Sequence, residues 1–204
     1  MGSNKSSVMQ GVPVLEGESM YLKTGDSYLT VVKLSTVDGE TTSDDTVPDP
    51  YILSSTKVKA DATRFFFMSE RTVPKLVSGH TVLFCTKIKN ASNVDVVHYA
   101  SFVAQSKHFY HYTAKNTTEH THVYFRPMGR GTKMMARFNI VDSSNPNLEE
   151  RRSDTSHVIL STKKYILYAI NPHKTLLGVT VGINSSGRQE VKDSLCSAFE
   201  FEFQ

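Results

Sequence analysis

The stretch MYLKTGDSYLTVV, residues 20–32, has the pattern of a β-hairpin. Apolar and polar residues alternate on both sides of Gly25-Asp26, and successive side chains of a strand point to opposite faces. A Gly-Asp pair between two such runs is typical of a tight turn. We therefore predict two antiparallel strands joined at Gly25-Asp26, with the second strand opening on Tyr28.

Two further segments align with this hairpin. They are SFVAQSKHFYHYT at 101–113 and VILSTKKYILYAI at 158–170. Each combines a strand, a short polar turn and a second strand that opens on an aromatic residue. Because alternate residues of a strand share a face, the alignment predicts one equivalent buried position in each segment. These positions are Leu29, Tyr110 and Ile166.

Each third of the chain then ends in another related segment. These segments are ATRFFFM at 62–68, MARFNIV at 135–141 and SAFEFEF at 197–203. Hairpin and closing strand together span about 40 residues each time, which predicts a threefold repeat. The stretch HTVLFCTKIKNASNVDVV at 80–97 is additional, and in an alternative alignment it opens the middle unit.

The rest of the chain supports an all-β fold. Helical periodicity is almost absent, and about a dozen short β-rich runs are separated by Gly, Asn, Asp, Ser or Pro. We predict a polar, flexible N-terminal tail at 1–14 and a single all-β domain at 15–204. Three units of hairpin plus closing strand resemble the β-trefoil, a six-stranded barrel capped by three hairpins. A jelly-roll-like β-sandwich is the alternative.

Within the β-trefoil superfamily, the sequence resembles fascin-like modules, amaranthin-type agglutinins and interleukin-like proteins in general pattern, without a motif diagnostic of one family. It departs from the ricin-type lectins, because their recurrent Gln-x-Trp cannot occur in a chain that lacks tryptophan. The resemblance implies a protein that binds a ligand through the segments connecting its strands.

The stretch KHFYHYTAKNTTEHTHVYF at 107–125 contains the predicted binding residues. If its two strands pair across the loop at 114–119, one register places Phe109 opposite Tyr124 and His111 opposite His122. A register shifted by two residues places His111 opposite His120. Flat aromatic faces beside imidazoles suit a carbohydrate or a protein ligand. The predicted ligand-binding residues are Phe109, His111, Asn116, His122 and Tyr124.

Metal and catalytic sites are not predicted. No Cys or Asp near these histidines completes a metal-ligand set, so we expect no metal and no cofactor. The chain contains no G-x-S-x-G, H-E-x-x-H, P-loop or dinucleotide-binding motif, so we predict no catalytic residues and no enzyme activity. Cys85 and Cys196 are too few for a disulfide framework and are predicted to be free thiols, with one bridge between them as the alternative.

Composition narrows the partners and the compartment. The 23 basic and 20 acidic residues give a net charge of +3, which does not predict a nucleic-acid partner. No apolar run approaches the roughly 20 residues of a membrane-spanning helix. The N-terminus, MGSNKSSVMQG, lacks the apolar core of a signal peptide, which predicts a cytoplasmic protein or one secreted by a leaderless route.

Two functions fit this sequence. The first, and our main prediction, is a non-enzymatic, lectin-like module that recognises glycans through the aromatic and histidine face. The second is a protein-binding trefoil, namely a cytokine-like ligand, a protease inhibitor or a cytoskeletal crosslinker.

Overall fold

The structure is a computed structural model, and it describes residues 11–33, 51–69, 74–101, 121–127, 135–144, 157–170, 176–180, 190–192 and 197–203. Within these ranges the chain forms thirteen β-strands and one 3-10 turn at Lys59–Asp61. The strands are β1 Tyr21–Thr24, β2 Ser27–Lys33, β3 Tyr51–Thr56, β4 Phe65–Ser69, β5 Thr81–Lys89, β6 Asp95–Ser101, β7 Thr121–His122, β8 Tyr124–Pro127, β9 Arg137–Asp142, β10 Lys164–Ile170, β11 Leu176–Thr180, β12 Glu190–Lys192 and β13 Ala198–Glu202.

Six strands close into a barrel. β1 pairs with β13, β13 with β10, β10 with β9, β9 with β5 and β5 with β4, all antiparallel. The barrel closes between β4 and β1, where Met20 and Phe65 exchange two backbone hydrogen bonds of 2.8 Å. Each of the six strands is therefore paired on both sides. Unpaired strand edges promote aggregation, and closure of the barrel removes them.

The barrel interior is filled by two layers of side chains, none more than 2% exposed. One layer consists of Met20, Phe67, Val82, Ile140, Tyr165 and Phe201, and the next consists of Leu22, Phe65, Phe84, Phe138, Leu167 and Phe199. Aromatic rings make specific contacts there, since Tyr165 stacks on Phe201 with centroids 5.2 Å apart. The buried hydroxyl of Tyr165 accepts a 2.7 Å hydrogen bond from the backbone of Leu160, so its burial leaves no unsatisfied oxygen.

The remaining strands form the hairpins. β2 pairs with β3, β6 with β8 and β11 with β12, and contacts between neighbouring hairpins join β3 to β8 and β12 to β7. A six-stranded barrel with three such hairpins is a β-trefoil, and this confirms the predicted fold class.

Three short segments meet where the three units converge. The backbone nitrogens of Val14, Leu76 and Ile159 donate to the carbonyl oxygens of Ile159, Val14 and Leu76 respectively, each over 2.9 Å. All three side chains are at most 1% exposed. Each of the three units therefore contributes one segment, with one donor and one acceptor, to this closed ring of hydrogen bonds.

The closing strands and the first hairpin are confirmed. β4, β9 and β13 lie where the sequence predicts them, and β1 and β2 pair through Lys23 with Tyr28 and Thr24 with Ser27. Gly25 has a positive φ of 55°, a conformation that glycine adopts without steric cost.

The predicted hairpin alignment of the other two units is wrong. The middle unit opens with β5, as in the alternative alignment, and residues 102–113 of the predicted hairpin lie outside the described residues. In the third unit, Val158 and Leu160 bridge to Val77 and Pro13 and not to β10. Strand alternation looks alike in every strand, so the sequence does not reveal which strand lies beside which.

The predicted equivalence of Leu29 and Ile166 is wrong for the same reason. Leu29 belongs to β2, the second strand of its unit, whereas Ile166 belongs to β10, the first strand of its unit. Tyr110 lies outside the described residues. The equivalent first strands are β1, β5 and β10, each of which pairs with the closing strand of its own unit.

The folded part of the chain begins earlier than predicted. Residues 11–14, assigned above to the tail, pair with the third unit, and Val14 is fully buried. Gly11 approaches Thr162 so closely that a Cβ there would lie 2.2 Å from the threonine hydroxyl. The N-terminal segment is therefore a structural component of the trefoil.

Candidate functional site

The predicted ligand-binding face is only partly described. Phe109, His111 and Asn116 lie outside the described residues. His122 ends β7 and Tyr124 opens β8, and Val123 between them is fully buried. The five residues remain a prediction as a binding site.

The strand neighbours of Tyr124 correct the predicted register. Tyr124 pairs with Ile52 of β3 on one side and with Ser101 of β6 on the other. These two partners leave no free strand edge at Tyr124 for the predicted pairing with Phe109. His122 pairs with Glu190 of β12, which the sequence analysis did not anticipate.

A different surface cluster is formed by residues from four separate parts of the chain. We call it the Tyr21 patch, and it consists of Tyr21, Lys23, Tyr28, Lys59, Arg64 and Glu202. Leu22 follows Tyr21, Phe201 precedes Glu202, and both point into the barrel. Strand alternation therefore places Tyr21 and Glu202 on its outer surface.

Aromatic rings hold the cations of the patch. The Lys59 Nζ lies 5.2 Å from the Tyr21 ring centroid, and the Arg64 guanidinium carbon lies 5.4 Å from the same centroid. The two tyrosine rings meet edge to face at 6.2 Å, and the Lys23 Nζ lies 5.7 Å from the Tyr28 centroid. The three cation–ring distances are within the roughly 6 Å over which a cation and a ring attract.

One carboxylate lies within this cationic cluster. Glu202 accepts a 3.2 Å hydrogen bond from the Tyr28 hydroxyl and forms an ion pair with Lys59. The hydrogen bond from Lys59 lowers the pKa of Glu202, and the same bond raises the pKa of Lys59. Both groups are therefore charged at neutral pH, and the patch contains three cations and one anion.

No local sequence signal brings the members of this patch together. The alternation in SAFEFEF assigns Glu202 to the solvent side of the last strand, but no local signal connects it to Tyr28 or to Lys59. The residues meet because β13 pairs with β1, which sets Glu202 directly opposite Tyr21. A contact between the two ends of the chain is visible only once the barrel has closed.

Cys85 does not provide a nucleophile. It is fully buried in a second apolar cluster with Phe66 and Tyr99, and it is a free thiol. Burial raises the pKa of Cys85 to about 12, so the reactive thiolate is scarce at neutral pH. Cys196 lies outside the described residues.

The described residues contain neither a metal-ligand group nor a membrane-spanning helix. In that part of the chain, no group of three or more His, Cys, Asp or Glu side chains is arranged to hold a metal ion. No helix there has the length and apolar character needed to cross a membrane.

Solved structures match almost the whole chain. Soybean trypsin inhibitor (Kunitz) aligns with a TM-score of 0.57 and 10% identity, over 94% of this chain and 95% of its own. A Kunitz-type cysteine protease inhibitor from potato aligns with a TM-score of 0.56 and 12% identity, over 93% of this chain and 91% of its own. The lysenin pore aligns with a TM-score of 0.51 and 13% identity, over 97% of this chain and 50% of its own.

The sequence comparisons give no relatives, since no protein-family model and no curated protein matches the chain. At identities of 10–13% the structural matches establish a shared fold. They do not establish a shared function, because one fold can host many unrelated activities.

Proposed function

We propose that the protein is a non-enzymatic, protein-binding β-trefoil whose partner is a protease. The observation that carries this proposal is the match, over more than nine-tenths of both chains, to Kunitz inhibitors named for two different protease classes. The inhibitor alternative from the sequence analysis is thus better supported than the lectin prediction.

The scaffold suits this role physically. An inhibitor gains affinity when its contact segments are already ordered before binding, because less conformational entropy is lost on association. Here a closed barrel, two filled core layers and a ring of backbone hydrogen bonds fix the strand ends from which the connecting segments emerge.

One described connection shows such order directly. β5 continues three residues beyond the position where β1 ends, so the β5–β6 hairpin extends about 10 Å further than the β1–β2 hairpin. At its tip the Asn90 Oδ1 accepts hydrogen bonds from the backbone nitrogens of Ser92 and Val94, at 2.9 and 3.0 Å. Val94 itself is 57% exposed, so an apolar side chain is presented on an ordered loop.

Inhibition titrations test the proposal. Fixed amounts of trypsin, a serine protease, and papain, a cysteine protease, are titrated with the folded protein. We expect one of them to lose activity in proportion to the protein added, with an endpoint near equimolar. The control is Phe67→Asp, which places a charge in the fully buried barrel layer, unfolds the scaffold and should abolish inhibition. Full activity of both enzymes, and of an aspartic protease and a metalloprotease, would contradict the proposal.

The carbohydrate prediction stays separate. It depends on Phe109, His111 and Asn116, which lie outside the described residues, and on the side chains of His122 and Tyr124. A glycan array with the wild-type protein and with His122→Ala and Tyr124→Ala tests it. A signal lost in both variants would support it, and silence across the array would count against it.

A further inference from the structure

We propose that the Tyr21 patch is a docking surface for an acidic segment of a protein partner. This inference goes beyond protease binding and does not depend on it. It is based on the order, the charge and the chemical composition of the six residues defined above.

The side chains of the patch are ordered before any partner binds. Lysine and arginine side chains lose considerable rotamer entropy when a complex fixes them. In this patch, the tyrosine rings already hold Lys59, Arg64 and Lys23 at 5.2, 5.4 and 5.7 Å from their centroids. A partner that binds here therefore loses less free energy to side-chain ordering than it would on a surface of free lysines.

The net positive charge of the patch complements an acidic ligand. Lys23, Lys59 and Arg64 contribute three positive charges, against one negative charge from Glu202, which leaves an excess of two. The neighbouring Glu200 lies opposite Lys23 in the sheet, but its carboxylate pairs with Lys164 at 3.2 Å. A ligand with two or more carboxylates supplies the missing negative charge.

The composition of the patch favours an acidic peptide over a sulfated glycan. Both tyrosine rings are already engaged by cations, so the patch offers ion pairs more readily than a free ring for stacking against a sugar. Glu202, only 33% exposed, already accepts from Tyr28 and pairs with Lys59, and it remains an anion among the cations. A peptide provides both carboxylates for the cations and backbone N–H groups for Glu202, whereas a sulfated glycan brings mainly acceptors and repels Glu202.

The residue types also fit a protein partner. Tyrosine and arginine are enriched among the residues that dominate protein–protein binding. A control lysine is available away from the patch. Lys75 is exposed and bridges to Leu15 in the segment that follows β4, whereas Arg64 precedes β4.

The experiment measures binding of a fluorescent peptide of alternating Glu and Gly by anisotropy, with a Gln-Gly peptide as the neutral comparison. We expect the Glu peptide alone to bind, and Lys59→Gln and Arg64→Gln each to weaken binding about fivefold. Lys75→Gln should change it less than about twofold. Circular dichroism establishes that each surface variant is folded.

Three results would overturn the inference. They are absence of Glu-peptide binding, equal weakening by Lys75→Gln, and patch-dependent binding of a heparin oligosaccharide without binding of the peptide. Protease titrations of Lys59→Gln keep the two proposals separate, because we expect them to match those of the wild-type protein.

Discussion

The backbone nitrogen of Val14 donates a 2.9 Å hydrogen bond to the carbonyl oxygen of Ile159. Leu76 completes the ring by donating to Val14 and accepting from Ile159. Because all three side chains are buried, the N-terminal segment contributes to the core as well as to the backbone hydrogen bonding. The stability of the trefoil should therefore depend on residues near the start of the folded region.

Truncation of the ring side chains tests this dependence. Val14→Ala should lower the free energy of unfolding by about 1.5 kcal/mol, because two buried methyl groups are lost. Ile159→Ala should lower it by about 2–5 kcal/mol. Val12→Ala, at a side chain that is 58% exposed, should change it by less than about 0.5 kcal/mol. Urea unfolding measures all three, and equal losses at Val12 and Val14 would contradict the role of the ring.

Burial should make the Cys85 thiol unreactive in the folded protein. With a pKa of about 12, only about one part in ten thousand is thiolate near pH 8, and the apolar cluster excludes reagents. In a Cys196→Ser background, Ellman's reagent should label Cys85 slowly under native conditions and fully in denaturant. Rapid native labelling would show that the cluster around Phe66 and Tyr99 is open.

Asp142 should stabilise the fold in a pH-dependent way. Burial alone would raise its pKa, but hydrogen bonds from Ser144 and Lys163 outweigh burial and lower the pKa to about 2. Since the folded pKa lies below the unfolded value of 3.8, this stabilisation is present above about pH 4 and is lost as the pH falls towards 2.

The test is Asp142→Asn. We expect this variant to lower the free energy of unfolding by about 1–2 kcal/mol near pH 7, and the difference should narrow near pH 3. Asp95→Asn is the control, because that carboxylate is 56% exposed and its ion pair with Lys89 is long, at 3.5 Å. A pH-independent effect of Asp142→Asn would show that lost hydrogen bonding alone, and not charge, explains it.

His98 should also make the fold less stable as the pH falls, but in a higher pH range than Asp142. It is 7% exposed, contacts Tyr51 edge to face at 5.4 Å, and its Nδ1 lies 2.9 Å from the carbonyl oxygen of Val96. Burial lowers the pKa of His98, and the contact with Val96 only partly offsets this. Because the unfolded state then binds the proton more tightly, stability is full above about pH 6.5 and decreases as the pH falls below it.

Replacement of the imidazole by a ring that does not titrate isolates this contribution. His98→Phe should flatten the decrease in unfolding free energy between about pH 7 and pH 5. An unaltered slope in His98→Phe would assign the pH dependence to other groups.

The local sequence pattern predicted the strands themselves better than it predicted which strands pair. The closing strands β9 and β13 were predictable because Phe138 and Phe199 alternate with polar residues, and β4 because its three consecutive phenylalanines form a short apolar run. The hairpin predicted at 158–170 failed because Val158 and Leu160 pair with other units.

The amino-acid sequence by itself determined an all-β chain with a threefold repeat, since alternation and turn residues act between neighbours a few positions apart. Only the tertiary structure decided which strands lie side by side, and with that which side chains meet on the surface. Tyr21 meets Glu202 because β1 pairs with β13, and it meets Lys59 and Arg64 because the barrel closes between β4 and β1. Such a contact depends on packing of the whole chain, and no local segment encodes it.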